Sequence, residues 1–203
     1  MTIKPRIPRD SAASPDADAL NVPNPKTLLR KSLLNMRRAL ADDVRAGWDS
    51  HISDHVSAWC RQHAIRALGV YWPLHGEPDL HGLYALLAAR GVTLYLPVVL
   101  EKHAPLAFSE WTPGVAMVKD GMGVAVPQDL RLQACPPAIL VPCLGFNAQR
   151  LRLGYGGGFY DRTLARRPRP RTLGVAYACL AAAFTGGVHD IALDDIVTEG
   201  GLL

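Results

Sequence analysis

Short apolar runs alternate with helix-patterned segments along most of this chain, and that alternation limits the fold more than any other feature. "ALGVYWP" (67–73), "VTLYLPVV" (92–99), "PLAFSEW" (105–111), "AILVPCL" (138–144) and "RTLGVAY" (171–177) read as strands, the fourth most clearly. "NPKTLLRKSLLNMRRALADD" has leucines and Met36 at helical spacing, with Pro25 at the helix start. Lys26, Arg30, Arg37 and Arg38 are expected on or near its polar side. Further helices are expected over about 43–64, over "EPDLHGLYALLAARG" with Gly91 as its stop, and over "FYDRTLARR". Residues 112–136 read as turn-rich, and "DDIVTEGG" as a last short strand. The pattern predicts an α/β fold: a three-layer sandwich with a largely parallel central sheet and helices on both faces.

A chain of 203 residues suits one such domain. The expected organisation is a disordered leader over 1–24, rich in Pro, Ala, Asp and Ser, then a single domain over 25–203. That leader lacks the apolar core of a secretory signal, and no apolar run reaches membrane-spanning length. Cys60, Cys135, Cys143 and Cys179 are scattered, without a CxxC pair. Such spacing argues against a zinc site or a disulfide framework and fits a reducing cytoplasm. The chain is expected to act there as a monomer, away from membranes.

The stretch "RLRLGYGGGFYD" (150–161) carries the chemistry. Four glycines fall within five positions, after a strand and before a helix, where an α/β sheet places its ligands. Glycine lets consecutive main-chain N–H groups turn toward an anion, and the start of a helix at about Phe159 would add its positive end. Arg152, with Arg150 as a further candidate, supplies full charge. Neither the GxxxxGK[ST] nor the GxGxxG spacing is met, so a simple tight turn stays open as the alternative. Asp161 is a candidate magnesium ligand or a helix-start carboxylate. Asp190 is a second candidate ligand or a turn aspartate. From Arg150 to Arg171 there are seven arginines and one acid, which points to an anionic partner. With Tyr155, Phe159 and Tyr160 interleaved, that segment also allows a nucleic-acid-binding module, the less favoured reading because no RNA-binding motif accompanies it.

"LVPCLGFNAQRLRLGYGGGFYDRTLA" resembles the signature of the 5-formyltetrahydrofolate cyclo-ligase (methenyltetrahydrofolate synthetase) family. "KTLLRKSLLNMRRAL", "YWPLHGEPDL" and "HDIALDDIVTEGG" resemble its N-terminal basic helix, its substrate-side segment and its closing segment, so the likeness runs from about 26 to 200. The resemblance implies closure of 5-formyltetrahydrofolate, with or without a polyglutamate tail, to 5,10-methenyltetrahydrofolate, using ATP and Mg2+ and releasing ADP and phosphate. It implies ATP contacts for Lys26, Arg30, Arg152, Gly154, Gly156, Gly157, Gly158 and Tyr160. It implies folate contacts for Glu77, Tyr155 and Tyr160, and magnesium ligation by Asp161 and Asp190. No protein nucleophile is expected. The chain departs from the family pattern at Cys143 and Arg150, where the family usually has glycine, and at Asn147, where it usually has aspartate, and "YACLAAAFTGGVHD" lacks the family's glutamine and Pro-x-Glu. An ATP-dependent paralogue acting on another heterocycle is therefore the variant reading.

Overall fold

The computed structural model describes residues 24–203. The expected leader lies outside them except for Asn24. Its side chain accepts a hydrogen bond from the Lys26 amide at 2.9 Å and caps the first helix, α1 (Pro25–Arg38), with Pro25 in the first turn. The order continues α2 (Asp42–Gln62), β1 (Ala67–Gly69), α3 (His81–Ala89), β2 (Thr93–Val98), β3 (Ala107–Trp111), β4 (Met117–Lys119), β5 (Ala125–Pro127) and β6 (Leu132–Gln133). Then come β7 (Ala138–Pro142), β8 (Gly145–Phe146), β9 (Arg152–Leu153), α4 (Phe159–Leu164), β10 (Arg171–Val175), β11 (Asp195–Thr198) and β12 (Gly201–Leu202).

Eight strands form one sheet in the order β12-β11-β10-β7-β1-β2-β3-β6. The five central strands, β11 through β2, run parallel. β12, β3 and β6 join antiparallel at the margins. Alternate side chains leave opposite faces. Leu68, Leu94, Leu140 and Leu173 pack under α1, α2 and α3, against Leu33, Ile52, Val56 and Leu83. Ile139, Val141, Ala176 and Ile196 face the other way, toward Leu164 and Phe159 of α4. Burial on both faces is why "AILV" in β7 is apolar throughout. Among the described residues the second face carries the six-residue α4 as its one helix, so the sandwich is thinner on that side. Against β8, α1 comes very close: a Cβ on Gly145 would stand 2.5 Å from Leu33 Cδ1 and 3.2 Å from the Leu180 carbonyl oxygen.

Several elements differ from the sequence expectation. The first strand pairs only as far as Gly69, although the Val70 N–H still reaches the Tyr95 carbonyl at 2.8 Å. The helix expected from Glu77 starts at His81. Glu77 instead closes a turn, its N–H on the Leu74 carbonyl and its side chain on the Leu74 N–H, so the helix-start reading of this acid does not apply. The turn-rich stretch contains the β4–β5 hairpin and the edge strand β6. Asp120 Oδ1 builds the hairpin tip by accepting from the Met122 and Val124 N–H groups, both at 2.9 Å. Arg37, expected near the polar side of α1, is fully buried.

The chain leaves β1 toward β2 on one side, and later fills β7, β10 and β11 on the other. Strand order therefore reverses at β1, and such a switch point opens a crevice at the carboxyl ends of the strands.

Candidate active site

A cleft of about 1000 Å³ occupies that crevice. Trp72 lines it beyond β1, Pro97 and Val99 at the end of β2, and Pro142 at the end of β7. Every residue singled out as a site candidate, from Lys26 to Asp190, lines this one cleft, apart from Arg150, which is exposed elsewhere. Arg150 has φ of 56°, in a turn where its N–H meets the Asn147 carbonyl. A backbone in that left-handed region explains why a glycine serves there in the family pattern.

From Gly154 through Asp161, no main-chain N–H donates a hydrogen bond to any other described residue. Eight donors in a row without protein partners make a concave site for an anion. Gly156 and Gly158 hold φ of 96° and 67°, which a side chain would strain. The donors belong mainly to the loop; at six residues, α4 adds little dipole. Arg30 fastens the loop from α1, donating from Nε to the Gly154 carbonyl at 2.8 Å, with its guanidinium against Gly156.

Two acid–base pairs flank the loop. Arg152, buried, donates from Nη2 to Asp161 Oδ2 at 2.8 Å and stacks 5.1 Å from the Tyr160 ring centre. Its Nε is buried without a partner among the described residues. Lys26 Nζ lies 2.7 Å from Asp190 Oδ2, which also accepts from the Gly187 N–H at 2.8 Å. Partial burial pushes the Asp190 carboxyl up, but the bonds from Lys26 and Gly187 outweigh it and hold the group below its ordinary range. Among the described residues no three metal-ligating side chains cluster. The donor chemistry nevertheless fits magnesium in a nucleotide site, which takes one or two carboxylates and completes its shell with phosphate oxygens and water. Asp161 and Asp190 each keep Oδ1 free of described hydrogen bonds.

At the other end lies Glu77, 5% exposed. It accepts from the Tyr155 hydroxyl at 2.8 Å on Oε1 and from the Leu74 N–H at 2.9 Å on Oε2. Burial raises its pKa above the ordinary carboxylate value, against the opposing pull of the Leu74 bond, Arg37 and Tyr155. Tyr155 is 46% exposed while its hydroxyl points inward. Burial pushes the Tyr160 phenol up as well. Cys143, beneath the loop, is fully buried, and burial pushes its thiol up to about 12, so it offers no thiolate.

Sequence reasoning missed the hairpin that overhangs the cleft through Asp120, Met122 and Val124. "KDGMGV" held the signal, an Asp–Gly turn between short β-formers. It also missed the partnership of Arg37 with Tyr155, which links residues 118 positions apart.

The family model described as "5-formyltetrahydrofolate cyclo-ligase family" matches residues 22–199. The chain belongs to the 5-formyltetrahydrofolate cyclo-ligase family. A 5-formyltetrahydrofolate cyclo-ligase of Mycolicibacterium smegmatis is 32% identical over 151 residues, covering 70% of this chain and 76% of the relative. One from Haemophilus influenzae is 28% identical over 159 residues, or 73% and 84% of the two chains. Among solved structures, the Aquifex aeolicus 5,10-methenyltetrahydrofolate synthetase superposes with a TM-score of 0.76 at 25% identity, over 87% of this chain and 91% of that one. The Mycoplasma pneumoniae synthetase, at 23% identity, shares the fold with a TM-score of 0.72 over 87% and 99%. As in those folds, the cyclo-ligase chain described here carries a large, mostly parallel sheet between layers of helix and loop.

Proposed function

We propose that this cyclo-ligase family member closes 5-formyltetrahydrofolate to 5,10-methenyltetrahydrofolate at the expense of ATP. One observation carries the reading: a single cleft joins a run of unpartnered N–H donors, flanked by Lys26, Arg30 and Arg152, to a buried carboxylate at Glu77. A formamide oxygen is a poor leaving group. The formyl oxygen attacks the γ-phosphorus, the bond to ADP breaks, and the oxygen leaves the enzyme as part of a phosphate. N10 then attacks the activated carbon, loses its proton, and the C–O bond to phosphate breaks as the ring closes.

Phosphoryl transfer of this kind is mainly a matter of positioning and charge stabilisation. Loop N–H groups hold the phosphate oxygens, and Arg30 keeps the loop in place through Gly154. Phosphates compete for Arg152 and Lys26, and this releases Asp161 and Asp190 from their present partners. Those two carboxylates would hold Mg2+, which screens the charge on the triphosphate when bound. Glu77 accepts N–H groups of the pterin, and the Tyr155 ring forms the wall beside it.

The test is purified protein with Mg-ATP and 5-formyltetrahydrofolate, followed by the near-ultraviolet absorbance of the methenyl product. Product that appears only when ATP and Mg2+ are both present is the expected result. Nucleotide binding without turnover of this folate would favour the paralogue reading, since the altered tail lines the cleft at Val188 and His189. The nucleic-acid reading is weakened because Arg152, Arg162 and Arg169 bond inside the protein, to Asp161, to the Gly157 and Ala104 carbonyls, and to the Ala192 carbonyl.

A further inference from the structure

Arg37 is a full positive charge sealed from solvent. A guanidinium does not give up its proton in a protein, so such burial demands compensation. Among the described residues no carboxylate stands within ion-pairing distance of it. Its Nε donates to the His75 carbonyl at 3.2 Å, and its Nη2 donates to the Tyr155 hydroxyl. That hydroxyl in turn donates a hydrogen bond to Glu77 Oε1 at 2.8 Å. The buried cation and the buried anion are thus joined through a phenol, not in direct contact. The guanidinium also lies 5.8 Å from the Tyr155 ring centre, and its Nη1 is buried without a partner among the described residues.

The intervening tyrosine sits inside the glycine loop, between Gly154 and Gly156. α1 therefore grips that loop twice, two turns apart: Arg30 on the Gly154 carbonyl and Arg37 on the Tyr155 hydroxyl. The same Arg37 holds the turn bearing Glu77 through the His75 carbonyl, in a residue whose φ of 53° lies in the left-handed region. One buried side chain thus ties together the helix, the pterin-side turn and the nucleotide loop.

We propose that Arg37 is a positioning residue that couples the two halves of the cleft. Through the Tyr155 hydroxyl it makes one arrangement of Glu77 and the glycine loop, so that filling the folate half strengthens nucleotide binding, and the reverse. The inference rests on the cyclo-ligase reading above. Its physical basis is ordering: a pterin bonded to Glu77 fixes the Tyr155 hydroxyl. The adjoining N–H groups then lose less freedom when phosphate arrives. Linkage requires the effect to be equal in both directions.

The experiment titrates a non-hydrolysable ATP analogue with Mg2+ into the full chain, without 5-formyltetrahydrofolate and at its saturation, by calorimetry. Wild-type protein is expected to bind the analogue about tenfold more tightly with folate present, within the usual range of coupling. In Arg37→Lys the ratio falls to about one, while affinity in the absence of folate stays within about twofold. Tyr155→Phe severs the relay from the other side, taking the hydroxyl from both Arg37 Nη2 and Glu77 Oε1 while keeping the ring, and its ratio also falls to about one. The double variant loses nothing more. A wild-type ratio near one, a ratio kept in Arg37→Lys or Tyr155→Phe, or an Arg37→Lys loss equal with and without folate would each overturn the coupling role. Failure of the cyclo-ligase reading is distinct: neither folate binding nor methenyl formation would then be seen in wild-type protein.

Discussion

At the residue scale, Glu77 shows how burial sets a chemical role. Its pKa is raised, chiefly by desolvation, so its proton is held more tightly in the folded chain than in the unfolded one. Glu77 therefore favours the fold below its unfolded value of about 4.5, and that contribution is lost as pH rises through the folded pKa. The role proposed for Glu77 needs the opposite state, an anion that accepts from Tyr155 and the pterin. The acid limb of kcat/KM for the folate is expected above pH 4.5, and Glu77→Gln should remove that limb and raise the folate KM about tenfold or more. An unchanged pH profile in Glu77→Gln would assign the limb elsewhere. Asp161→Ala is expected to lower Mg2+-dependent kcat at least about 100-fold, the scale of a lost divalent cation at a phosphoryl group. Steady-state assays over a Mg2+ series check this; wild-type kinetics would contradict the magnesium-holding role proposed for Asp161. At Asn147, the amide Nδ2 donates to the Phe184 carbonyl at 2.9 Å, a bond an ionised aspartate could not make, so this departure from the family pattern secures the altered tail.

At the element scale, the glycine loop and its packing against α1 decide the site. Gly158→Ala puts a Cβ into a left-handed position, 2.7 Å from Arg162 Nη1. The expected cost is about 1–2 kcal/mol of stability, with the ATP KM raised about tenfold or more and the folate KM little changed. Denaturant unfolding and separate KM measurements test both halves of that statement. Gly145→Ala should instead push α1 outward from β8, costing about 1–3 kcal/mol through overpacking; an unaltered Tm would contradict the close approach. Most of these elements were legible in the sequence because local patterns determine them. The apolar run in β7, the helix start at Pro25 and the bare loop each carry their own signal. The β8–β9 hairpin was not legible, since two-residue strands are too short to show an alternating pattern; the β4–β5 hairpin, with three-residue strands, showed itself only through its Asp–Gly turn. Nor was the burial of Arg37, which depends on His75 and Tyr155 arriving from two other segments.

At the scale of the whole molecule, the parallel sheet places its switch point at β1, and the cleft follows from that topology. Ligands that bind only the folded chain raise its stability by mass action. Mg-ATP at about 100 times its Kd should add about 2.7 kcal/mol, read as an upward shift in Tm. Removing Mg2+ with a chelator should abolish most of that shift. The central claim is that the formyl oxygen accepts the γ-phosphoryl group in this cleft. The most direct measurement uses 5-formyltetrahydrofolate labelled with 18O at the formyl group, with Mg-ATP, followed by mass analysis of the released phosphate. One 18O per phosphate, formed in step with methenyl product, is the predicted result; methenyl product accompanied by unlabelled phosphate would contradict the account.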